Sequence, residues 1–194
     1  MTDMAVGLER HTINTNTYHR MIELGMLCEE DKVELIHGEI IKKSPIGKKH
    51  ASVVDRINKI LNNYLKDEAI VRIQSPISIP QHSEPEPDIS LLKADPDFYV
   101  DRTPQPDDVL FVIEVADSSW DYDYEIKRPL YASAGIAELW LVNLNKNEIE
   151  VHRTPAPTTY KNISIHQSGD KLALPLPNLQ AKISLNSLLG LGQK

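Results

Sequence analysis

Cysteine and long apolar runs are the two scarcest features of this 194-residue sequence. Cys28 is the single cysteine, so an internal disulfide and a Cys-based zinc site are both excluded. No window approaches about eighteen uninterrupted apolar residues, which excludes a membrane-spanning helix of ordinary type. The N-terminus, MTDMAVGLERHTINT, lacks the basic-then-apolar layout of a signal peptide. We therefore expect a cytoplasmic protein.

Several chemical signatures are also missing. The sequence has no Gly-rich phosphate loop and no Ser or Cys nucleophile motif, and its histidines lack metal-ligand spacing. The formal charge of −7 argues against a protein that coats nucleic acid through overall basicity. The one dense basic stretch is KKSPIGKK, with Lys42, Lys43, Lys48 and Lys49. Such a stretch is a solvated loop or a set of phosphate contacts, and we predict DNA-binding residues here.

The elements that are present predict one α/β domain. Its 41% hydrophobic and 25% charged composition is typical of a globular protein. We expect a core at about residues 30–154 and a C-terminal extension at 155–194. The patterns predict an N-terminal helix, a β-hairpin turning at Gly38, a long amphipathic helix after the basic loop, and a series of strands. A second helix is expected at DYDYEIKRPLYASAG, and extra strands with a helical turn in the C-terminal tail.

Glu114 interrupts the apolar run VLFVIEVAD at residues 109–117. A run without polar alternation is typical of a strand that is covered on both faces. An unpaired carboxylate there would cost several kcal/mol or would become neutral through a raised pKa. Glu114 therefore needs a protein cation, a metal ion or a solvated strand end.

Asp88 and Lys127 are the groups predicted to compensate Glu114. Asp88 opens a strand 26 positions earlier, and adjacent antiparallel strands would bring the two carboxylates together. Two such carboxylates need a cation between them, and Mg²⁺ or Mn²⁺ prefers oxygen ligands. A helix packed over the sheet would direct the Lys127 ammonium to the same cleft, a set that suits phosphodiester hydrolysis.

Motifs along residues 15 to 154 resemble a known family. They are ELIHGEI, His50, PDISLL, VIEVADSS, Asp123 with Lys127, Tyr131 and GIAELWLVN, in this order. They are similar to the pattern of the Uma-two-type endonucleases of the PD-(D/E)xK superfamily. The resemblance implies a restriction-endonuclease-like mixed sheet flanked by helices. It also implies that Asp88 is the PD aspartate and that Glu114 is the acidic member of (D/E)xK. Lys127 would then be the motif lysine, moved from the strand to the next helix, because Ala116 occupies the usual lysine position.

Two features complicate this assignment. The literal string EIK, Glu125 to Lys127, also fits (D/E)xK, but Glu125 lies in a polar helical segment where it needs no partner. We therefore assign Glu114. Pro129, two residues after Lys127, predicts a kink that would rotate the ammonium away from the carboxylates.

Glu34, Glu39 and His50 also match the family pattern, with softer roles. Glu39 and His50 are predicted to face the metal site from the side opposite Lys127, although His50 also fits a capping or core histidine. Glu34 fits a solvated residue or a partner for a nearby lysine. Asp88 or Glu114 could instead form a structural ion pair with Lys127 or an arginine. Lys127 also fits a surface lysine that pairs with Asp123, four residues earlier.

The sequence thus predicts a Mg²⁺- or Mn²⁺-dependent endonuclease acting on DNA, with Asp88 and Glu114 as metal ligands. Because double-strand cleavage generally needs two active sites, we expect a homodimer or higher homo-oligomer, formed through the IAELWLVNL and EIEVHRT strands or the tail. The alternative is a non-catalytic oligomeric binding or regulatory protein on the same fold.

Overall fold

A computed structural model of the protein describes residues 11–65, 67–175 and 181–192. The first ten residues, in which the signal-peptide pattern was sought, lie outside the described residues, as do 176–180, 193 and 194 of the predicted extension. Lys66, near the end of the predicted long helix, lies outside them as well. Among the described residues, none of the helices is long and apolar enough to cross a membrane.

The chain alternates helices and strands in the order that the sequence predicts. The main helices are α1 (Thr15–Glu23), α2 (Lys48–Leu65), α3 (Trp120–Tyr122), α4 (Arg128–Ser133) and α5 (Leu185–Leu189), and a π-helical turn, Asp123–Lys127, joins α3 to α4. The strands are β1 (Val33–Ile36), β2 (Glu39–Lys42), β3 (Ala69–Ile73), β4 (Ile89–Lys93), β5 (Val109–Ala116), β6 (Glu138–Asn143), β7 (Glu148–Ala156), β8 (Thr159–His166), β9 (Lys171–Ala173) and β10 (Lys182–Ser184).

Six of these strands form one mixed sheet in the order β3-β4-β5-β6-β7-β8. Only the central pair, β5 with β6, is parallel, because the helical segment 120–133 crosses over between them. The strand pairs on either side are antiparallel. The fold class is therefore the expected mixed sheet flanked by helices, and the strand β8 carries the sheet beyond residue 154.

Both faces of the sheet are covered, which explains the unbroken apolar run of β5. Alternate side chains Phe111, Ile113 and Val115 pack with α2 in one core cluster. Val112, on the other face, packs with Leu130 and Tyr131 in the second cluster. Because side chains alternate along a strand, Glu114 shares the face of Val112 and lies under the 120–133 segment.

The β1–β2 hairpin lies against the chain before β4. Its turn contains His37 and Gly38, both with positive φ, and a Cβ at Gly38 would lie 2.5 Å from the Cβ of Thr12. Glycine is therefore required there. The amide of Glu84 donates to the carbonyl of Leu35, which fixes the hairpin beside the segment that leads to Asp88.

Candidate active site

Glu114 and Asp88 lie side by side at neighbouring strand ends. The β4–β5 register pairs Ile89 with Ile113, so the preceding Asp88 adjoins Glu114. The backbone amide of Asp88 donates to Oε2 of Glu114 at 3.2 Å. The Glu114 side chain is 2% exposed, so a solvated strand end is not what compensates it.

The other Glu114 oxygen, Oε1, accepts two hydrogen bonds from the crossover segment. Lys127 Nζ donates from 3.1 Å and the Tyr131 hydroxyl from 2.6 Å. The kink expected at Pro129 does not turn the lysine away. Proline has no N–H to donate, and the helix widens just before it into the π-turn 123–127, which directs Lys127 inward. Within this turn, the carbonyl of Tyr124 accepts a hydrogen bond from the side-chain Nε of Arg128 at 2.9 Å.

Lys127 is shared between two carboxylates rather than exposed on a helix surface. Its ammonium lies 3.1 Å from Glu114 and 3.3 Å from Oε2 of Glu34, and its side chain is 6% exposed. Its backbone contact is the carbonyl of Glu86 at 3.4 Å. A protein cation therefore does compensate Glu114, as one of the alternatives drawn from the sequence required.

Glu34 is a buried member of the cleft, not a solvated strand residue. Oε2 accepts from the amide of Glu86 at 2.9 Å, and Oε1 accepts from the Tyr122 hydroxyl at 3.1 Å. With Lys127, these contacts tie the hairpin to the segment before β4 and to the crossover segment. Of the two alternatives that the sequence left for Glu34, the structure shows the second, a partner for a nearby lysine.

Asp88 is held by two donors on one oxygen. Oδ2 accepts from the amide of Val115 at 2.8 Å and lies 2.9 Å from Nε2 of His50, at the start of α2. Oδ1 has a 3.4 Å contact with the Gln74 side chain. His50 is thus brought to the site, and its Nδ1 is buried without a hydrogen-bond partner in the protein.

Asp123 brings another carboxylate into the same cleft. It lies in the π-turn, is 4% exposed and accepts from the Ser119 hydroxyl at 2.7 Å. In the sequence it appeared beside Lys127 in the family pattern and as a surface partner for that lysine, without a role in the site. Its four-residue spacing from Lys127 puts both side chains on one helical face.

Burial governs the protonation of these groups. Loss of solvation raises the pKa of Glu114 to about 8 and that of Asp123 to about 6, although the charge of Lys127 opposes both shifts. The surrounding carboxylates, Glu114 first, hold the pKa of Lys127 well above its ordinary value despite its burial. Burial would also raise the pKa of Asp88, but the hydrogen bond and charge of His50 outweigh it, so that pKa is lowered.

These side chains line a cleft of about 790 Å³ between the hairpin, the start of α2 and the crossover segment. Its lining contains seven carboxylates and four ammonium groups. Those carboxylates belong to Glu29, Glu34, Glu86, Asp88, Glu114, Asp117 and Asp123, and the ammonium groups to Lys32, Lys42, Lys43 and Lys127. The excess of negative charge suits a hard cation.

The carboxylates are nevertheless engaged with protein donors. Over the described ranges, no three His, Cys, Asp or Glu side chains are already arranged to hold a metal ion. Asp88 Oδ2 is held by His50, and Glu114 Oε1 by Lys127 and Tyr131. Oδ1 of Asp88 and Oε2 of Glu114 carry only one weak contact each, so the donor set fits a divalent ion bound through these oxygens.

The remaining predicted residues divide by position. Glu39 lies in β2 opposite Ile36 and is not among the residues that line the cleft. Lys42 and Lys43 line it, and Lys43 pairs with Glu86. Lys48 is exposed, and Lys49 donates to the carbonyl of Leu144. Their predicted roles stay predictions.

The fold matches a solved crystal structure. That structure, described as a putative nuclease belonging to DUF820 from Anabaena variabilis, superposes with a TM-score of 0.65 at 18% identity. The match covers 88% of this chain and 97% of that one. At this identity the likeness concerns the fold alone. Comparison with curated proteins gives no match.

A family model then places the chain more closely. The model described as "Uma2: Putative restriction endonuclease" matches residues 16–186. The chain belongs to this family, as the sequence motifs predicted. The family and the fold together support a nuclease-like function.

Proposed function

We propose that the protein is a Mg²⁺- or Mn²⁺-dependent endonuclease that hydrolyses phosphodiester bonds in DNA. The observation that carries this proposal is the convergence of Asp88, Glu114 and Lys127, from three separate segments, in one cleft. Glu114 lies within 3.2 Å of both the Asp88 amide and the Lys127 ammonium. Two carboxylates beside an ammonium group suit metal-assisted phosphodiester hydrolysis and so support the proposal.

Asp88 and Glu114 would hold the metal. A divalent ion, when bound, supplies a Lewis acid that polarises the phosphate and lowers the pKa of an attacking water. His50 fixes Asp88 through Oδ2 and leaves Oδ1 for a ligand, while Tyr131 fixes Glu114 through Oε1. Lys127 supplies a fixed positive charge for the phosphate oxygens. We keep Glu39 as a proposed member of the site on the family pattern alone.

A non-catalytic binding protein is the second candidate. The observation that favours it is the Lys127 contact, because an ammonium 3.1 Å away compensates Glu114 without a metal. Such a protein would bind DNA equally in the presence of Mg²⁺ or of a chelator, and would not cleave it.

The deciding experiment pairs Mn²⁺ calorimetry with a plasmid-cleavage assay. Glu114→Gln should lose both metal binding and cleavage, since the amide is a poor ligand for a hard cation. Glu125→Gln is the matched control, because Glu125 is exposed and belongs to the rejected EIK string. Retention of both properties by Glu114→Gln, or no Mn²⁺ binding by the native protein, would overturn the proposal.

A further inference from the structure

The crossover segment has a second face beside the cleft, formed by aromatic and cationic side chains. Ser119, Asp123 and Lys127 line the cleft at four-residue spacing. One residue later in each turn come Trp120, Tyr124 and Arg128, which lie outside the cleft lining on the adjacent face. We call these three residues and Lys146 the aromatic strip.

In the strip, two stacked rings lie between two cations. The Trp120 and Tyr124 rings are 5.6 Å apart with an interplanar angle of 26°. The Arg128 guanidinium lies 4.0 Å from the Tyr124 ring, and Lys146 Nζ lies 6.0 Å from the Trp120 ring. The order is therefore cation, ring, ring, cation.

Trp120 and Tyr124 pack against the second core cluster and are partly exposed. Tyr124 meets the edge of His152, which is fully buried in the sheet, at 6.2 Å. Trp120, Tyr124 and Arg128 are partly exposed, and the Lys146 side chain is 64% exposed. The Asn145 side chain, next to Lys146, donates to the carbonyl of Asp117 in the cleft wall at 2.8 Å. The strip thus runs along the edge of the cleft.

We propose that the aromatic strip binds unpaired bases of a nucleic-acid strand whose phosphates enter the cleft. Nucleobases stack on aromatic rings and guanidinium planes, while Lys146 attracts the backbone. Bases inside a duplex present no free face for such stacking, so the substrate class is single-stranded nucleic acid or a duplex with an unpaired segment. Stacking also supplies attraction that the net charge of −7 does not. This inference rests on the proposed nuclease function, because that function is the reason for placing the phosphates of the strand in the cleft.

Tryptophan fluorescence tests the strip directly. The protein has two tryptophans, and Trp140 is fully buried, so a change in emission on oligonucleotide binding reports on Trp120. With a chelator present to prevent cleavage, oligo(dT) should quench the emission, and a blunt duplex of equal length should do so much less. Tyr124→Leu should weaken oligo(dT) binding roughly 5- to 100-fold. Tyr64→Leu, at an exposed tyrosine of α2, should leave it unchanged.

Two further variants separate stacking from misfolding. Trp120→Phe keeps a ring and should retain binding measured by anisotropy of a labelled oligonucleotide, whereas Trp120→Leu should not. Lys146→Ala removes an exposed charge and should flatten the salt dependence of binding. Three results would each overturn the proposal for the strip. They are the absence of oligo(dT) binding, equal quenching by the duplex, and unchanged affinity in Tyr124→Leu. None of these outcomes depends on metal or cleavage, so they are distinct from a failure of the nuclease proposal.

Discussion

At the scale of the residue, Glu114 shows what environment adds to a motif. Its position in an apolar strand, not its spacing from a lysine, identified it as the acid that needs a partner. The structure supplies three donors, from Lys127, Tyr131 and the Asp88 amide. The same burial leaves the carboxylate costly to ionise when no metal is present.

Glu114→Gln should therefore leave the metal-free fold as stable as the native fold or more stable. The amide conserves shape and removes the repulsion from Asp88 and Asp123, the carboxylates that raise the pKa of Glu114 beside burial. Urea unfolding with a chelator present measures this stability. Loss of folding without loss of metal binding would instead make Glu114 a purely structural ion-pair member.

The raised pKa of Glu114 also predicts a pH dependence. Between its ordinary value of 4.5 and about 8, the folded state holds a proton that the unfolded state has released. The stability contributed by that proton is complete below pH 4.5 and is lost as the pH rises through 8. Metal-free native protein should lose on the order of 3 kcal/mol more between pH 5 and pH 8 than Glu114→Gln does. Parallel pH profiles for the two proteins would contradict the shift.

At the scale of the element, the β1–β2 hairpin and the crossover segment converge through Glu34. The hairpin was predictable from its turn, but its docking was not, because nothing local in the sequence specifies that Glu34 meets Tyr122, 88 positions away. The π-turn was equally hidden. Pro129 signalled an irregular helix, while the direction of the irregularity depended on contacts with β5.

Glu34→Gln should lower cleavage about 10- to 100-fold, since Lys127 loses one of the two carboxylates that hold it. The decrease should fall on kcat rather than KM if Lys127 acts on the reacting phosphate. Glu125→Gln is the control, because Glu125 is exposed and stands outside the proposed site. Unchanged kcat in Glu34→Gln would show that Glu34 does not position Lys127 for catalysis.

The lysines of the predicted basic loop extend beyond a loop, because Lys42 ends β2 and Lys48 and Lys49 begin α2. Lys43 contacts Glu86 and Lys49 donates to the carbonyl of Leu144, whereas Lys42 and Lys48 are exposed at the surface. The double substitution of Lys42 and Lys48 by Ala should weaken DNA binding at all sequences alike and reduce the salt slope by roughly 0.9 per lost contact. Metal binding should survive. A salt slope equal to that of the native protein would show that the loop is only solvated.

At the scale of the whole molecule, the predicted mixed sheet is confirmed, and the surface through which copies would associate stays a prediction. Strands β6 and β7, which were expected with the tail as alternatives for a dimer surface, lie inside the sheet, each paired on both sides. Periodicity identified the strands but not their order, since order is set by the crossover between β5 and β6. The outermost strand at this end is β8, with Ile163 46% and Ile165 57% exposed.

A homodimer or higher homo-oligomer remains a prediction, and the exposed isoleucines of β8 offer a further surface for it. Burying exposed isoleucines at an edge strand is a common route to two-fold association. Light scattering at micromolar concentration should show a dimer, and Ile163→Lys with Ile165→Lys should yield a monomer. Phe98→Lys, at another exposed apolar residue far along the sheet, is the control. A native monomer would count against self-association.

The crossover between β5 and β6 also sets when the site comes into being during folding. His50 meets Asp88 across 38 positions, Asp88 meets Glu114 across 26, and Glu34 meets Tyr122 across 88. Contacts between residues this far apart in the sequence cost loop-closure entropy before they stabilise the fold, so they form late. A nascent chain lacks Tyr122, Lys127 and Tyr131, the side chains that donate to Glu34 and Glu114, until residue 131 has been made. The candidate site is therefore assembled only after most of the chain has been synthesised.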